Sequence, residues 1–152
     1  MGGDHNVPIR LRSWFLVLVQ FGILLYLALT GPLIALPVGW LLLEMAAIAL
    51  GVWALAVMRL EQMSVLPEVR GNGELVAHGP YRWIRHPMYT AVLLGALALT
   101  AATPTPERIA AWFILLVDLV VKLRFEEGLL AAAYPGYPAY RQRTKALLPW
   151  IW

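Results

Sequence analysis

The sequence lacks cysteine altogether and has few charged residues. Of its 152 residues, twelve are Lys or Arg and nine are Asp or Glu. The absence of cysteine excludes disulfides, thiolate catalysis, thiolate metal ligands and S-linked lipid anchors on this chain. A soluble domain of this length needs a more charged surface than 14% of its residues can supply. Because 61% of the residues are hydrophobic, we expect the excess apolar surface to face the acyl chains of a membrane.

Four apolar segments, each close to the length that crosses a bilayer, predict an all-α polytopic membrane protein. Prolines in the connections, such as Pro32, Pro37 and Pro106, end the helices and divide the segments into two hairpins. The first segment is read as a retained anchor rather than a signal peptide, because no convincing cleavage site follows it. A helical tail follows, within a single domain covering residues 1–152. The predicted spans are about 13–30, 38–58, 88–102 and 109–123.

The distribution of basic residues predicts the orientation of the spans. Cytoplasmic flanks of membrane proteins accumulate Lys and Arg. Of the twelve bases, only Arg108 falls in the connection between the third and fourth spans. The pattern predicts cytoplasmic termini, in a bacterial inner membrane or the endoplasmic reticulum. No dense basic stripe points to nucleic acid, so the expected neighbours of these bases are anionic lipid headgroups. The other bases are Arg10, Arg12, Arg59, Arg70, Arg82, Arg85, Lys122, Arg124, Arg141, Arg143 and Lys145.

A polar and aromatic cluster, from Gly79 to Tyr89, directly precedes the third span. Polar groups at a membrane boundary cost free energy unless they are solvated, paired or used. The sequence therefore indicates that function is concentrated in this cluster and in the tail, which are expected on the same side of the membrane.

The ordered motifs in the C-terminal half resemble the integral-membrane methyltransferases typified by isoprenylcysteine carboxyl methyltransferase and the phospholipid N-methyltransferases. The resemblance rests on Glu74-Leu75-Val76, Gly79-Pro80-Tyr81-Arg82, Arg85-His86-Pro87-Met88-Tyr89, Glu126-Glu127, and Tyr137 and Tyr140 ahead of Leu148-Pro149. It covers about residues 73–149, whereas the first two spans match only in hydropathy. No Gly-rich Rossmann fingerprint is present, so the soluble methyltransferase fold is not expected.

The resemblance implies S-adenosylmethionine as methyl donor and a lipophilic acceptor that arrives from the bilayer. The donor carries a sulfonium, an ammonium, a carboxylate and an adenine, which need carboxylates, aromatic faces and hydrogen-bond partners. By resemblance, the basic position four residues before Glu126 faces the acceptor; this position is Lys122, with Arg124 close by. Glu127 is the third predicted catalytic residue. The implied cofactor-binding residues are Gly73, Glu74, Leu75, Val76, Tyr81, Arg85, His86, Pro87, Met88, Tyr89 and Glu126.

The acceptor atom is left open by the sequence. Where the family usually has arginine this chain has Lys122, which cannot present a planar fork to a carboxylate. A carboxylate acceptor needs only orientation by a cation, whereas an amine must be neutral and a thiol must be ionised. Glu126 or Glu127 could serve as the base for an amine. The main expectation is O-methylation of an isoprenylcysteine carboxylate or a similar small amphiphile; the alternatives are a phospholipid amine and a thiol.

Simpler interpretations compete at individual residues. His86 could only cap the third span, and the two glutamates could form a solvated helix face paired with Lys122 and Arg124. Glu44 lies within the second span and could instead belong to a small four-span transporter or an assembly subunit. The role of Asp118, within the fourth span, stays open.

Overall fold

The computed structural model describes residues 6–58 and 75–148, and every regular element within them is helical. A parallel β-bridge joins Ile84 to Lys145. A short 3₁₀ turn, Gly79–Arg82, precedes the third helix. The five α-helices are α1 (Asn6–Leu29), α2 (Val38–Val57), α3 (Pro87–Ala102), α4 (Pro106–Ala133) and α5 (Tyr137–Arg143).

Proline and a hydroxyl cap fix where the two central helices begin. α3 starts at Pro87 and α4 at Pro106, a position where the missing N–H of proline costs nothing. The Thr105 hydroxyl accepts a hydrogen bond from the backbone N–H of Arg108 at 3.3 Å, which satisfies one of the free donors of the first turn of α4. α3 therefore ends and α4 begins within four residues, and the two helices form a tight hairpin.

The helices coincide with the predicted apolar segments except at two ends. α1 begins at Asn6, earlier than the predicted residue 13, and α4 continues to Ala133 rather than stopping near residue 123. The sequence from residue 124 to 133 contains good helix formers and no proline until Pro135, so the helix continues beyond its apolar part. Glu126 and Glu127 consequently belong to α4 and not to a separate tail.

The core lies where α3 and α4 face one another and α1 covers them. α2 packs mainly along α3, and α1 packs mainly along α4. Burial of these apolar side chains is the main source of stabilisation, at roughly 25 cal/mol per Å² of apolar surface removed from water. The buried hydrophobic cluster consists of Leu27, Leu93, Ala96, Ala111, Leu115, Leu119, Leu123, Ala146 and Leu147.

Within the described residues, one helix is both long and apolar enough to cross a membrane by itself, namely Val38–Val57. Two shorter apolar helices, Ser13–Leu29 and Pro87–Ala102, fall below that length. The outward faces are strongly apolar: Leu18 of α1 is 68% exposed, Val52 of α2 is 60% exposed and Val117 of α4 is 62% exposed.

Candidate functional site

The N-terminus of α3 and the second half of α4 bring the predicted histidine and glutamates together. His86 Nδ1 lies 3.5 Å from Glu126 Oε2, and His86 Nε2 lies 3.6 Å from Glu127 Oε1. His86 is the residue before α3, but its side chain makes no capping hydrogen bond to that helix. The side chain is buried between the two glutamates, so a simple cap does not account for its position.

Glu127 binds two arginines and is not part of a solvated helix face. Arg85 Nε donates to Glu127 Oε1 at 2.6 Å, and Arg141 Nε lies 3.4 Å from Glu127 Oε2. Burial raises the pKa of Glu127, but the hydrogen bond from Arg85 and the positive charges of Arg85 and His86 outweigh burial and lower the pKa to about 2. Glu127 therefore stays ionised, and it fixes the position of its neighbours.

His86 is held so that the imidazolium form is favoured. Burial lowers its pKa, yet the negative charges of the adjacent Glu126 and Glu127 carboxylates prevail and raise it. Nε2 is fully buried and has no hydrogen-bond partner, because 3.6 Å to Glu127 is too long for one. The ring stacks on Tyr89, with centroids 5.5 Å apart and planes 5° apart. A buried polar atom without a partner is expected where a ligand supplies one.

A chain of polar contacts runs from Glu126 along α4 towards the middle of the helix bundle. The Tyr89 hydroxyl donates to Glu126 Oε1 at 2.5 Å. Lys122, one turn before Glu126, places its ammonium 5.4 Å from the centre of the Tyr89 ring. The same ammonium donates to Gln20 Oε1 of α1 at 2.9 Å. Three helices therefore contribute to one polar array, which runs from His86 into the bundle.

Residues 144–147, here called the C-terminal strap, pack against the start of α3. Arg85 N donates to Lys145 O at 2.8 Å, and His86 N donates to Ala146 O at 3.1 Å. The Thr90 hydroxyl donates to Leu147 O at 2.5 Å. The strap thus satisfies the backbone donors beside His86 and holds that residue in place.

Tyrosines support the same end of the bundle. Tyr137 and Tyr140 are buried, and the Tyr140 hydroxyl donates to Tyr81 O at 2.6 Å. Burial raises the pKa of Tyr140 to about 12, so this hydroxyl remains a donor. The turn before α3 needs glycine at Gly79, because φ is +58° and an added Cβ would lie 2.6 Å from Val57 Cγ2.

The structure places the other predicted site residues at differing depths. Leu75, Val76 and Met88 are half-buried, whereas Pro87 is buried. Arg124 lies on the exposed face of α4, so Lys122 is the basic residue that joins the polar array. Gly73 and Glu74 lie outside the described residues, and their predicted role stays a prediction.

Two groups in the array were missed from the sequence. Gln20 lies in an apolar segment, where nothing but its own polarity could have drawn attention to it. The strap binds through backbone carbonyls, and these contacts do not depend on which side chains the strap carries, so the sequence gives no sign of them. Gln20 also lies outside the region in which the motifs occur, whereas the strap lies within it.

Two further charged groups, the buried Arg108 and the half-buried Glu44, serve the opposite end of the bundle. Arg108 donates to Leu27 O at 3.0 Å, to Thr30 Oγ1 at 2.7 Å and to Leu99 O at 2.7 Å. Glu44 Oε2 accepts the backbone N–H of Ala35 at 2.8 Å. Both side chains thus satisfy backbone groups near helix ends and connections.

An apolar cleft of about 310 Å³ lies between α1 and α2, with α3 as its floor. The small side chains of Ala47, Gly51, Ala91 and Gly95 leave this space open. Leu24, one turn beyond Gln20, and Val92, one turn beyond Tyr89, also line the cleft. The cleft therefore lies about one helical turn from Gln20 and Tyr89 of the polar array, and no side chain of the array lines it.

Comparison with known proteins assigns the fold and its polar cluster to a family. The family model described as phospholipid methyltransferase matches residues 27–136. The chain belongs to this family. The matched region contains His86, Glu126 and Glu127, whereas Gln20 and the strap lie outside it. The resemblance deduced from the motifs is confirmed.

Individual relatives have diverse names. The chain is 40% identical over 83 residues to the cobalt-zinc-cadmium resistance protein CzcN of Cupriavidus metallidurans, covering 53% of this chain and 38% of that protein. It is 35% identical, with the same coverage, to the nickel-cobalt-cadmium resistance protein NccN of Alcaligenes xylosoxydans xylosoxydans. It is 39% identical over 77 residues to the methanethiol S-methyltransferase of Mycobacterium tuberculosis, covering 49% of this chain and 30% of that protein. The alignments therefore span well under half of each relative's length.

No solved structure matches this chain. Among residues 6–58 and 75–148, no three His, Asp or Glu side chains are arranged to hold a metal ion.

Proposed function

We propose that this protein is an integral-membrane methyltransferase that uses S-adenosylmethionine to methylate a lipophilic acceptor. The observation that carries the proposal is the buried His86 between Glu126 and Glu127, inside the region that matches the methyltransferase family. His86 Nε2 lies 3.6 Å from Glu127 but makes no hydrogen bond, so this buried nitrogen has a donor to offer a ligand.

The side chains around His86 fit the chemistry of this methyl donor. Glu126 keeps about a fifth of its side chain exposed and supplies negative charge, which a sulfonium or an ammonium requires. Tyr89 and Tyr81 supply aromatic surface for cation–π contact and stacking. His86, in its charged form, can donate from Nε2 to a carboxylate. When bound, the cofactor would supply an activated methyl group at this end of the bundle.

The residues of this chain would act mainly by positioning and by excluding water. Glu127 locks Arg85 and the strap in place, and the strap closes the side of the cluster next to α3. Methyl transfer needs an aligned acceptor and a dry site more than it needs proton transfer. Tyr89 fixes the Glu126 carboxylate, and Lys122 presents a cation deeper in the bundle.

We further propose that the chain crosses the membrane four times, with both termini in the cytoplasm. The exposed apolar faces of α1, α2 and α4 support this arrangement, and so does the distribution of basic residues. Because the chain lacks cysteine, single-cysteine variants can test it cleanly with a membrane-impermeant maleimide. In intact bacterial cells we expect labelling of Leu33→Cys, between α1 and α2, and protection of Gln142→Cys; the reverse pattern would refute the orientation.

The acceptor would enter from the bilayer through the cleft between α1 and α2. An isoprenylcysteine carboxylate or a related small amphiphile, a phospholipid amine and a thiol each remain compatible with an apolar cleft that leads to a buried cation. The named activity of the mycobacterial relative, S-methylation of methanethiol, supports the thiol alternative. The transporter alternative has little support, because Glu44 accepts a backbone hydrogen bond from Ala35.

Calorimetry with detergent-purified protein tests the cofactor site. We expect saturable binding of S-adenosylmethionine, and a loss of affinity of about tenfold or more, or about 1.4 kcal/mol, in His86→Ala and in Glu126→Ala. Glu107→Ala is a matched control, since this side chain is exposed and lies in the first turn of α4, at the opposite end of that helix from Glu126. A folded wild-type protein that binds no cofactor would refute the proposal.

A further inference from the structure

Lys122 is buried beyond what its described partners explain. Its residue is 3% exposed, and its ammonium makes one hydrogen bond, to Gln20. An ammonium has three N–H donors. Within the described ranges, no second oxygen accepts from it and no carboxylate forms a direct ion pair with it. A desolvated cation with unused donors is costly unless something else binds there.

Asp118 is a second buried charged residue, and one of its carboxylate oxygens has no hydrogen-bond donor. It is 6% exposed, and its Oδ2 is fully buried with no hydrogen-bond donor beside it. Asp118 precedes Lys122 by one helical turn, so the two side chains lie on the same face of α4. The carboxylates of Glu126 and Glu127, in contrast, already accept from Tyr89 and Arg85. Asp118 is therefore the acidic residue near Lys122 that is left to accept a proton.

Gln20 lies one helical turn from a residue of the cleft, while Gln20, Lys122 and Asp118 themselves do not line it. Gln20 is 8% exposed and binds Lys122 across the α1–α4 contact. Leu24, one turn further along α1, lines the apolar cleft. An amphiphile with its tail in the cleft would thus bring its head to Gln20 and Lys122.

We propose that Gln20, Lys122 and Asp118 form the subsite for the reacting head of the acceptor, with Gln20 as a positioning residue for Lys122, and that this subsite selects an alkyl thiol. The inference rests on the proposed methyltransferase function and names its substrate class. Gln20 lies outside the residues matched by the family model.

The shape and charge of the Lys122 ammonium favour a thiol acceptor over a carboxylate or an amine. An ammonium is a compact point charge, which suits a one-atom anion such as a thiolate, whereas a carboxylate is better held by the planar fork of arginine. A nearby cation stabilises a thiolate and makes it the reactive form. A protonated amine would be repelled by Lys122.

The reaction balances with the groups named. The thiol proton passes to the Asp118 carboxylate, and the thiolate remains beside the Lys122 ammonium. The new bond joins the acceptor sulfur to the methyl carbon of the sulfonium donor. The bond that breaks is the methyl–sulfur bond of the donor, whose electron pair stays on the donor sulfur. The proton on Asp118 is released to solvent after the thioether leaves.

Three probes with one alkyl chain test the head-group preference: 1-octanethiol, octanoate and octylamine. Methyl transfer from labelled S-adenosylmethionine should be at least about tenfold more efficient, as kcat/KM, for octanethiol than for either other probe. In Gln20→Met, which keeps the size and removes the acceptor oxygen, the KM for octanethiol should rise about tenfold while cofactor affinity stays unchanged. Gln142→Met, at an exposed position, is the matched control and should behave as wild type.

A spectroscopic readout separates positioning from mere stability. Because the chain has no cysteine, the ultraviolet absorption of a bound thiolate can be followed without protein thiols. Octanethiol bound to the wild-type protein should ionise at a lower pH than free octanethiol, and Gln20→Met should reverse part of this shift. Gln20→Glu keeps an oxygen but neutralises Lys122, and it should abolish the shift even in a fully folded protein.

The possible outcomes are distinct for the two proposals. Absence of S-adenosylmethionine binding by the folded wild-type protein refutes the methyltransferase proposal itself. Cofactor binding with faster methylation of octanoate or octylamine, or with no transfer to octanethiol, overturns the thiol subsite and leaves the broader function intact. An unchanged head-group ratio and unchanged thiol ionisation in both Gln20 variants overturn the role of Gln20.

Discussion

Buried charge is found at both ends of the helix bundle, but it is used differently at each. At one end, Arg108 gives its guanidinium to Leu27 O, Leu99 O and the Thr30 hydroxyl, and only its Nε lacks a partner. The last carbonyls of a helix have no partner within that helix, and a cation there also complements the helix dipole. Arg108 therefore joins the ends of α1 and α3.

At the other end, some charged side chains keep donors or acceptors that no structural contact uses. Glu127 is saturated by Arg85 and Arg141, yet His86 Nε2 has no hydrogen-bond partner and Glu126 stays partly open. Deeper in the bundle, Lys122 has unused N–H donors and Asp118 Oδ2 has no hydrogen-bond donor. The comparison shows that burial of a charge does not by itself indicate function. The unpartnered donors and acceptors do, because they are what a ligand can satisfy.

The largest loss of stability should come from substitution of Arg108, and this substitution should leave cofactor binding unchanged. Arg108→Met leaves three buried or half-buried oxygens without their donors, at a cost of about 4 kcal/mol. Thermal unfolding in detergent measures the loss, and calorimetry should show unchanged cofactor affinity in the folded fraction. Gly31→Ala should act in the same direction, since its Cβ would lie 2.7 Å from Arg108 Nη1. A loss of cofactor affinity in either variant would contradict the separation of the two ends.

Glu127→Gln should cause the next largest loss in the free energy of unfolding, about 3 kcal/mol. It removes the negative charge from a buried ion pair and leaves the charge of Arg85 without a partner. The strap should loosen with it. Hydrogen exchange at Lys145 and Ala146 N–H groups, followed by mass spectrometry, should accelerate in this variant. Glu107→Gln, at an exposed position, should change neither quantity.

The same contrast appears in the dependence of stability on pH. The pKa of Glu127 is lowered from 4.5 to about 2, so its contribution is present above pH 4.5 and is lost as the pH falls towards 2. The pKa of His86 is raised above 6.5, so its contribution is complete below 6.5 and is lost as the pH rises through the folded value. Unfolding temperatures measured across this range should show both slopes in wild type. Glu127→Gln should flatten the acid slope, whereas Arg108→Met should lower the whole curve without changing its shape.

Tyr89→Phe should have a smaller and more local effect. It removes the hydroxyl that fixes Glu126 and keeps the ring that stacks on His86. Cofactor affinity should fall about tenfold, as expected for one hydrogen bond to a charged group. Tyr134→Phe is a suitable control, because Tyr134 lies past the end of α4. Equal affinity in wild type and Tyr89→Phe would show that Glu126 does not depend on this contact.

The smallest effect is expected at the strap. Thr90→Val removes the hydroxyl that donates to Leu147 O and should cost about 1 kcal/mol. Limited proteolysis near residues 144–147 should become faster. An unchanged cleavage rate would mean that the backbone bonds to Arg85 and His86 suffice to hold the strap.

The sequence predicted the helices well, because apolar length and proline positions are local signals. It also pointed to His86, Glu126 and Glu127, which the structure brings together. The array into the bundle was less predictable. Lys122 and Glu126 were identified through the family resemblance, but their partner Gln20 is separated from Lys122 by about a hundred residues and has no motif around it. The end of α4 was misplaced because polarity was taken as the end of the helix, whereas the backbone follows helix propensity until Pro135.

The spacing of Asp118, Lys122 and Glu126 on one continuous helix has a consequence for how this segment can vary. Each residue added to an α-helix turns the following ones by about 100°. One inserted or deleted residue between Lys122 and Glu126 would swing the glutamates away from His86 while Lys122 kept its bond to Gln20. The segment should therefore tolerate many replacements on its outer face, yet no change in its length.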